Sequence, residues 1–143
     1  MSSEDIAKGS MQLTRLTPED GDVLERYGHL YDDLLHSIHL DFSDRTQRIG
    51  WAEVIFLARK EGGDPRGVHV RLRFLDVRAF QFTEGNSSYL VVDDGARITW
   101  KEGLVTLDLD PGPNGIDEPI PDRVSKFFIT AKACEWAEEP IPE

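Results

Sequence analysis

The sequence predicts a mainly β domain with one short N-terminal helix, in which an antiparallel sheet of about 6–8 strands curls into a barrel or a two-sheet sandwich. Apolar and polar residues alternate with a period of two in several segments, turn signals separate these segments, and one stretch has helical spacing. The length of 143 residues suits a single domain, 1–143. Its globular part is expected at 13–136, between a flexible tail, 1–12, and a polar tail, 137–143.

The helix is predicted over about residues 18–27. Thr17 can cap it, Pro18 suits its first position, and Asp20 completes a capping box. Apolar residues then recur at helical spacing. These are Val23, Leu24, Tyr27, Leu30 and Tyr31. Gly28 is a residue at which such a helix ends.

Period-two alternation begins at Leu34 and predicts a strand over 34–42. One face of this strand would carry Leu34, His36, Ile38, Leu40 and Phe42. Residues 48–59 are apolar on both faces, which predicts a central or sandwiched strand. Residues 68–74 alternate most clearly, and a bulge then shifts the apolar phase of 76–82.

Further strands are predicted at residues 88–92, 96–101, 104–109 and 124–136. The pairs Asp94-Gly95 and Glu102-Gly103 are hairpin turn signals. Residues 111–121 contain four prolines and two glycines, so they are a loop and not part of a helix or a sheet interior.

The formal net charge of −11 is unevenly distributed. Residues 1–33 hold 8 acids and 3 bases, residues 34–82 hold 6 and 8, and residues 83–143 hold 13 and 5. An acidic surface repels phosphate backbones, which argues against nucleic-acid binding, and it favours encounter with a basic protein. Solubility alone is the simpler explanation of the charge.

The composition also predicts a cytoplasmic location. Cys134 is the single cysteine, so neither an intramolecular disulfide nor a multi-cysteine zinc site is expected. Residues 1–10 are polar and do not resemble a signal peptide, and no apolar run is long enough to span a membrane.

The residues that could carry chemistry do not form a recognised motif, so we expect no cofactor and no metal. The missing catalytic constellation favours a non-enzymatic protein but leaves an enzyme open. His36 and His39 would lie on opposite faces of a strand, with His36 in the core, and His39 would meet His69 only if their strands pair. Cys134, in an apolar strand, is expected to pack in the core. Adjacent acids are expected to be solvated. They are Asp32-Asp33, Asp93-Asp94, Asp108 with Asp110, and Asp117-Glu118.

Two groups of residues are the candidate binding sites. Arg71 and Arg73 share the polar face of one strand with His69, and with His39 they could bind an anion or an acidic peptide unless acids from the two ends of the chain neutralise them. In the proline-rich loop and just after it, three acids could contact a basic partner, although the loop could equally be a plain linker. These are Asp117, Glu118 and Asp122.

Residues 31–42, Tyr-Asp-Asp-Leu-Leu-His-Ser-Ile-His-Leu-Asp-Phe, resemble the opening strand of small uncharacterised bacterial β-proteins, among them toxin immunity proteins. The resemblance implies a compact β-fold and a protein-binding role, and it transfers no functional residue. The preferred hypothesis is therefore a non-enzymatic binding protein, such as an immunity or inhibitor protein that neutralises a basic partner. One alternative is a small β-barrel enzyme or anion-binding domain. Another is a homo-oligomeric structural module with Trp100 and Trp136 in the interface.

Overall fold

A computed structural model describes residues 12–30, 33–44, 49–60, 62–63, 65–82, 95–109 and 127–141. Its strands are β1 (Thr14–Arg15), β2 (Leu34–Asp44), β3 (Ile49–Ala58), β4 (Val68–Phe82), β5 (Arg97–Lys101), β6 (Leu104–Asp108) and β7 (Phe127–Pro140). Two 3₁₀ segments, Pro18–Asp20 and Val23–Leu30, precede β2.

The seven described strands form one antiparallel sheet. Six of them follow the order β2-β3-β4-β7-β6-β5, and β1 pairs with β7 outside this order. β7 pairs with β4 along one side, and on its other side it pairs first with β6 and then with β1. The mainly β, antiparallel prediction is confirmed. The sheet is not closed into a barrel, because β2 and β5 are its two edges.

β3 and β4 supply the middle of the hydrophobic core. Every second residue of β3 and of the first half of β4 is fully buried, whereas the intervening residues are half-buried on the other face. The buried residues are Ala52, Val54, Phe56, Ala58, Val70, Leu72 and Phe74. The central position predicted for residues 48–59 is therefore confirmed. In the first half of β4, His69, Arg71 and Arg73 alternate with the buried residues and lie on the face opposite the core.

Residues 12–30, called here the N-terminal strap, cover the buried face of the sheet. The predicted capping box is present, since Thr17 N–H donates to Asp20 Oδ2 at 2.7 Å. The predicted helix over 18–27 is instead two 3₁₀ segments, because Gly21 takes a φ of 68° and ends the first of them. The second is kinked at Tyr27–His29, where Gly28 also takes a positive φ. Leu24 is fully buried, and burying a leucine contributes about 1.5–3 kcal/mol, so the strap is part of the core.

β2 does not present the face that simple alternation predicts. The register between β2 and β3 shifts between Leu35 and Ser37, so Leu35 is buried while Leu34 and His36 are exposed. A β-bulge inserts one extra residue and thereby inverts the alternation. The prediction that Leu34 and His36 share the core face with Ile38 is wrong for this reason.

The other local predictions can be compared strand by strand. The bulge predicted after residue 75 is present, because Asp76 takes a φ of 56° and the register shifts between Val77 and Ala79. The hairpin predicted at Glu102-Gly103 joins β5 to β6, and both residues have positive φ. The strand predicted at residues 88–92 and the loop at 111–121 lie outside the described residues.

β7 extends further than the sequence predicts. Its pairing with β4 continues to Pro140, so residues 137–140 are strand and not tail. The polar residues there have partners inside the protein. Glu138 Oε1 accepts a hydrogen bond from the Tyr27 hydroxyl at 2.8 Å, and Glu139 binds Arg71. Polarity at this end of the sequence thus reflects paired side chains.

No helical segment of the described chain has the length and apolar character required to cross a membrane.

Candidate functional site

The four residues predicted to bind an anion all lie on the exposed face of the sheet. Strand pairing places His39, Glu53 and Arg73 in one row across β2, β3 and β4. His69 lies in a second row, opposite Leu57 of β3. β3 separates β2 from β4, so His39 and His69 do not lie side by side. Their rows are four residues apart along β3, which corresponds to about 13 Å.

Arg71 and Arg73 form a cluster of ion pairs with two glutamates, called here the arginine cluster. Glu53 binds both, with its Oε1 at 2.5 Å from Arg71 Nη1 and its Oε2 at 2.8 Å from Arg73 Nη2. Glu139 accepts a second hydrogen bond from Arg71 at its Nε. The four side chains are only 15–19% exposed. The two guanidinium groups are therefore held by carboxylates of the chain itself.

These pairings show how the basic strip predicted at residues 71–73 is neutralised. Glu139 comes from the acidic C-terminal third of the sequence, as the prediction allows. Glu53 comes from the neighbouring strand β3, directly opposite Arg73, and was not among the predicted residues. The hydrogen bond that Arg71 donates to Glu139 raises the pKa of the Arg71 guanidinium, which stays charged. An incoming anion would have to displace a carboxylate to reach either arginine.

Aromatic contacts extend the arginine cluster towards β2. The guanidinium of Arg73 lies 5.9 Å from the centre of the Trp51 ring, within the range of a cation–π interaction. The exposed His39 ring lies 5.1 Å from the same indole. Trp51 thus links the exposed histidine of β2 to the paired arginines of β4.

A second contact joins His36 and His69, whose ring centres are 4.9 Å apart. The prediction that His36 is a core residue is wrong, because the bulge in β2 places it on the surface. Burial lowers the pKa of His69, the charge of His36 and of Arg71 lowers it further, and Glu139 acts in the opposite direction. Protonation of His69 is therefore disfavoured in the folded protein.

This histidine pair predicts a pH dependence of stability. The pKa of His69 in the folded protein lies below its ordinary value of 6.5. The contribution of neutral His69 to the stability of the fold is therefore fully present above pH 6.5 and is lost as the pH falls through the folded pKa. The variant His36→Gln removes the neighbouring charge and should lose less stability between pH 7 and pH 5 than the wild type. Thermal melts at both pH values measure the difference. An equal loss in the two proteins would contradict coupling between the rings.

The other predicted residues have structural roles. Cys134 is fully buried and burial raises the pKa of its thiol, which agrees with packing. Asp33 is buried beside Arg59, whose Nε lies 3.3 Å from Asp33 Oδ1, so the expectation that this acid is solvated is wrong. Trp100 and Trp136 pack partly buried against the core, so they are not the exposed aromatics that an interface requires.

Within the residues that the structure describes, no group of three histidine, cysteine or acidic side chains is arranged to hold a metal ion. Asp117, Glu118 and Asp122, predicted to contact a partner, lie outside the described residues. Comparison with protein-family models, with curated proteins and with solved structures yields no match to this chain.

Proposed function

We propose that the protein is a non-enzymatic binding protein that recognises a basic surface of a protein partner, as an immunity or inhibitor protein does. The observation that carries the proposal is the arginine cluster, in which Glu53 and Glu139 occupy Arg71 and Arg73. The two arginines that form the strongest basic feature of the sequence are thus paired with carboxylates of the same chain. The acidic excess remains as the dominant electrostatic property of the molecule.

The location of that excess in the sequence supports a partner contact through segments other than the described ones. The described residues contain 14 acids and 11 bases of the chain's 27 and 16, which leaves −8 of the net charge of −11 in the other segments. One of these segments, residues 110–126, contains Asp117, Glu118 and Asp122. Negative charge on one partner accelerates its association with a basic protein and contributes to specificity.

An anion-binding or enzymatic role is the second candidate, and the geometry favours it less. It requires His39, His69, Arg71 and Arg73 to converge on a ligand. β3 separates the two histidines, and carboxylates hold both arginines. Ligand binding at this face would therefore have to break ion pairs that are mostly shielded from water, at a cost of several kcal/mol.

Quantitative affinity capture tests the proposed function. The triple variant Asp117→Asn/Glu118→Gln/Asp122→Asn removes three negative charges from the nominated residues. The matched control Glu19→Gln/Glu25→Gln/Glu102→Gln removes three from exposed positions of the described chain. We expect the wild type to retain a basic protein in a 1:1 ratio from its native lysate at low salt. The first variant should bind that protein at least about tenfold more weakly, and the control within about threefold.

The salt dependence and the partner's activity complete this test. Affinity should fall as salt rises, because screening weakens attraction between opposite charges. Loss of the partner's activity in the complex would identify the protein as an inhibitor. Failure to retain any stoichiometric partner at low salt would contradict the proposal, as would equal weakening by both triple variants.

A further inference from the structure

The described residues cover the β5 edge of the sheet but do not pair with the β2 edge. At the β5 edge, the N-terminal strap accepts the outward-facing hydrogen bonds. Ile98 N–H donates to Asp22 Oδ2 at 3.0 Å, and Ala96 N–H donates to the carbonyl oxygen of His29 at 2.6 Å. β5 also carries Arg97 and Lys101. Covering an edge and charging it are two ways in which proteins prevent strand addition.

At the β2 edge, the described part of the chain shows neither kind of protection over the middle of the strand. β2 pairs with β3 on one side, and no described strand pairs with its other side. Residues 34–40 contain no lysine, arginine, aspartate, glutamate or proline. Every second residue of an edge strand presents its N–H and C=O outwards. This edge is therefore suited to accept a further strand.

The regular part of β2 sets the size of that surface. Register shifts occur between Leu35 and Ser37 and between Asp41 and Asp44, so residues 37–41 form the straight segment between two bulges. Ile38 and Leu40 are only half-buried, although they pack against the core. A strand added beside residues 37–41 would cover both side chains and form backbone hydrogen bonds along the edge.

We infer that the strand added at this edge is β2 of a second copy of the chain. Antiparallel pairing about a two-fold axis at His39 would place Ser37 opposite Asp41 of the second copy, and Ile38 opposite its Leu40. The apolar side chains then meet on one face, and no two ionised side chains of the same charge lie opposite each other. The same operation on β5, about Thr99, would place Arg97 opposite Lys101, two like charges. Charge thus favours β2 over β5 for self-association.

The net charge of −11 on each copy opposes this association, and salt relieves the opposition. The Debye length is about 8 Å at physiological ionic strength, so distant like charges are screened while the edge contact is not. Pairing over five residues is a small interface, for which a Kd on the order of 100 µM is expected. The dimer should strengthen with salt, opposite to the salt dependence of the proposed basic partner. The inference does not rest on the proposed function, and the two can fail separately.

Sedimentation equilibrium over a range of protein concentrations tests the inference. His39→Lys sets two ammonium groups opposite each other at the axis and should raise the Kd at least about tenfold. Gln12→Lys makes a single substitution to lysine at an exposed position away from β2 and should leave the Kd within about twofold. Circular dichroism verifies that both variants are folded. Amide hydrogen exchange in residues 37–41 of the wild type should slow as the concentration rises.

Two results would overturn the inference. One is a wild type that stays monomeric up to about 1 mM at high salt, a limit set by the weakest specific affinities. The other is a dimer whose Kd is the same in the wild type and in His39→Lys, since self-association would then use another surface.

Discussion

Replacing Glu53 by alanine is expected to lower the free energy of unfolding by about 2–3 kcal/mol, between the effects typical of exposed and of buried ion pairs. Glu53 is the one carboxylate that binds both arginines of the cluster, and its side chain is 15% exposed. Its removal leaves Arg73 with the Trp51 ring and Arg71 with Glu139. Water cannot fully replace the lost contacts, because the two arginine side chains are only 19% exposed.

Denaturant unfolding measures this loss, and the midpoint of thermal unfolding should fall by roughly 6–10 °C. Glu53→Gln keeps the side-chain shape and one acceptor, so a smaller loss is expected. Glu25→Ala removes an exposed glutamate and should change stability by less than about 0.5 kcal/mol. Combining Glu53→Ala with Arg73→Ala should give a coupling energy of about 1–2 kcal/mol. A loss as small as that of Glu25→Ala would mean that the arginine cluster behaves as a solvated surface.

Asp22→Ala is the second change for which we expect a large effect, a loss of about 2–4 kcal/mol. Asp22 Oδ1 accepts the Leu24 N–H at 2.9 Å, and Oδ2 accepts the Ile98 N–H at 3.0 Å. The side chain is 17% exposed, and His29 Nδ1 lies 3.4 Å from Oδ2. Alanine leaves two donors without acceptors and removes the hydrogen bond that joins the N-terminal strap to Ile98 of β5, while the hydrogen bond from Ala96 to His29 remains.

Denaturant unfolding of Asp22→Ala, Asp22→Asn and Glu19→Ala tests this role. Asparagine keeps one acceptor and should lose less than alanine, and Glu19→Ala removes an exposed acid from the same strap as a matched control. Burial raises the pKa of Asp22 above 3.8, so its shift stabilises the fold below pH 3.8 and that contribution is lost as the pH rises through the folded pKa. If all three variants unfold like the wild type, Asp22 does not hold the strap on β5.

Neighbouring residues determine some features of this fold, and contacts between distant segments determine others. Alternation in residues 68–74 predicts which side chains of β4 are buried, because a strand turns successive residues to opposite faces wherever it lies. The turn at Glu102-Gly103 and the capping box at Thr17 and Asp20 are equally local and are confirmed. Alternation fails in β2, where the bulge before Ser37 inverts the faces. Nothing in the periodicity of 34–42 indicates that extra residue.

The candidate site was only half predictable for the same reason. The sequence places Arg71 and Arg73 on one polar face, and that placement holds in the structure. It does not identify Glu53 as their common partner, because the choice depends on the register between β3 and β4. The partner of Arg71 on β7, Glu139, is 68 residues away in sequence and belongs to a segment whose polarity suggests a tail.

Composition and local pattern thus establish the class of fold, the acidity of the molecule and the residue types available on each strand of the sheet. Those properties depend on neighbours within a few residues. Contacts between distant segments establish that the described sheet stays open, that carboxylates pair with the two arginines, and that the strap covers the β5 edge. These outcomes depend on which distant segments pack together, and burial of one shared core selects that arrangement.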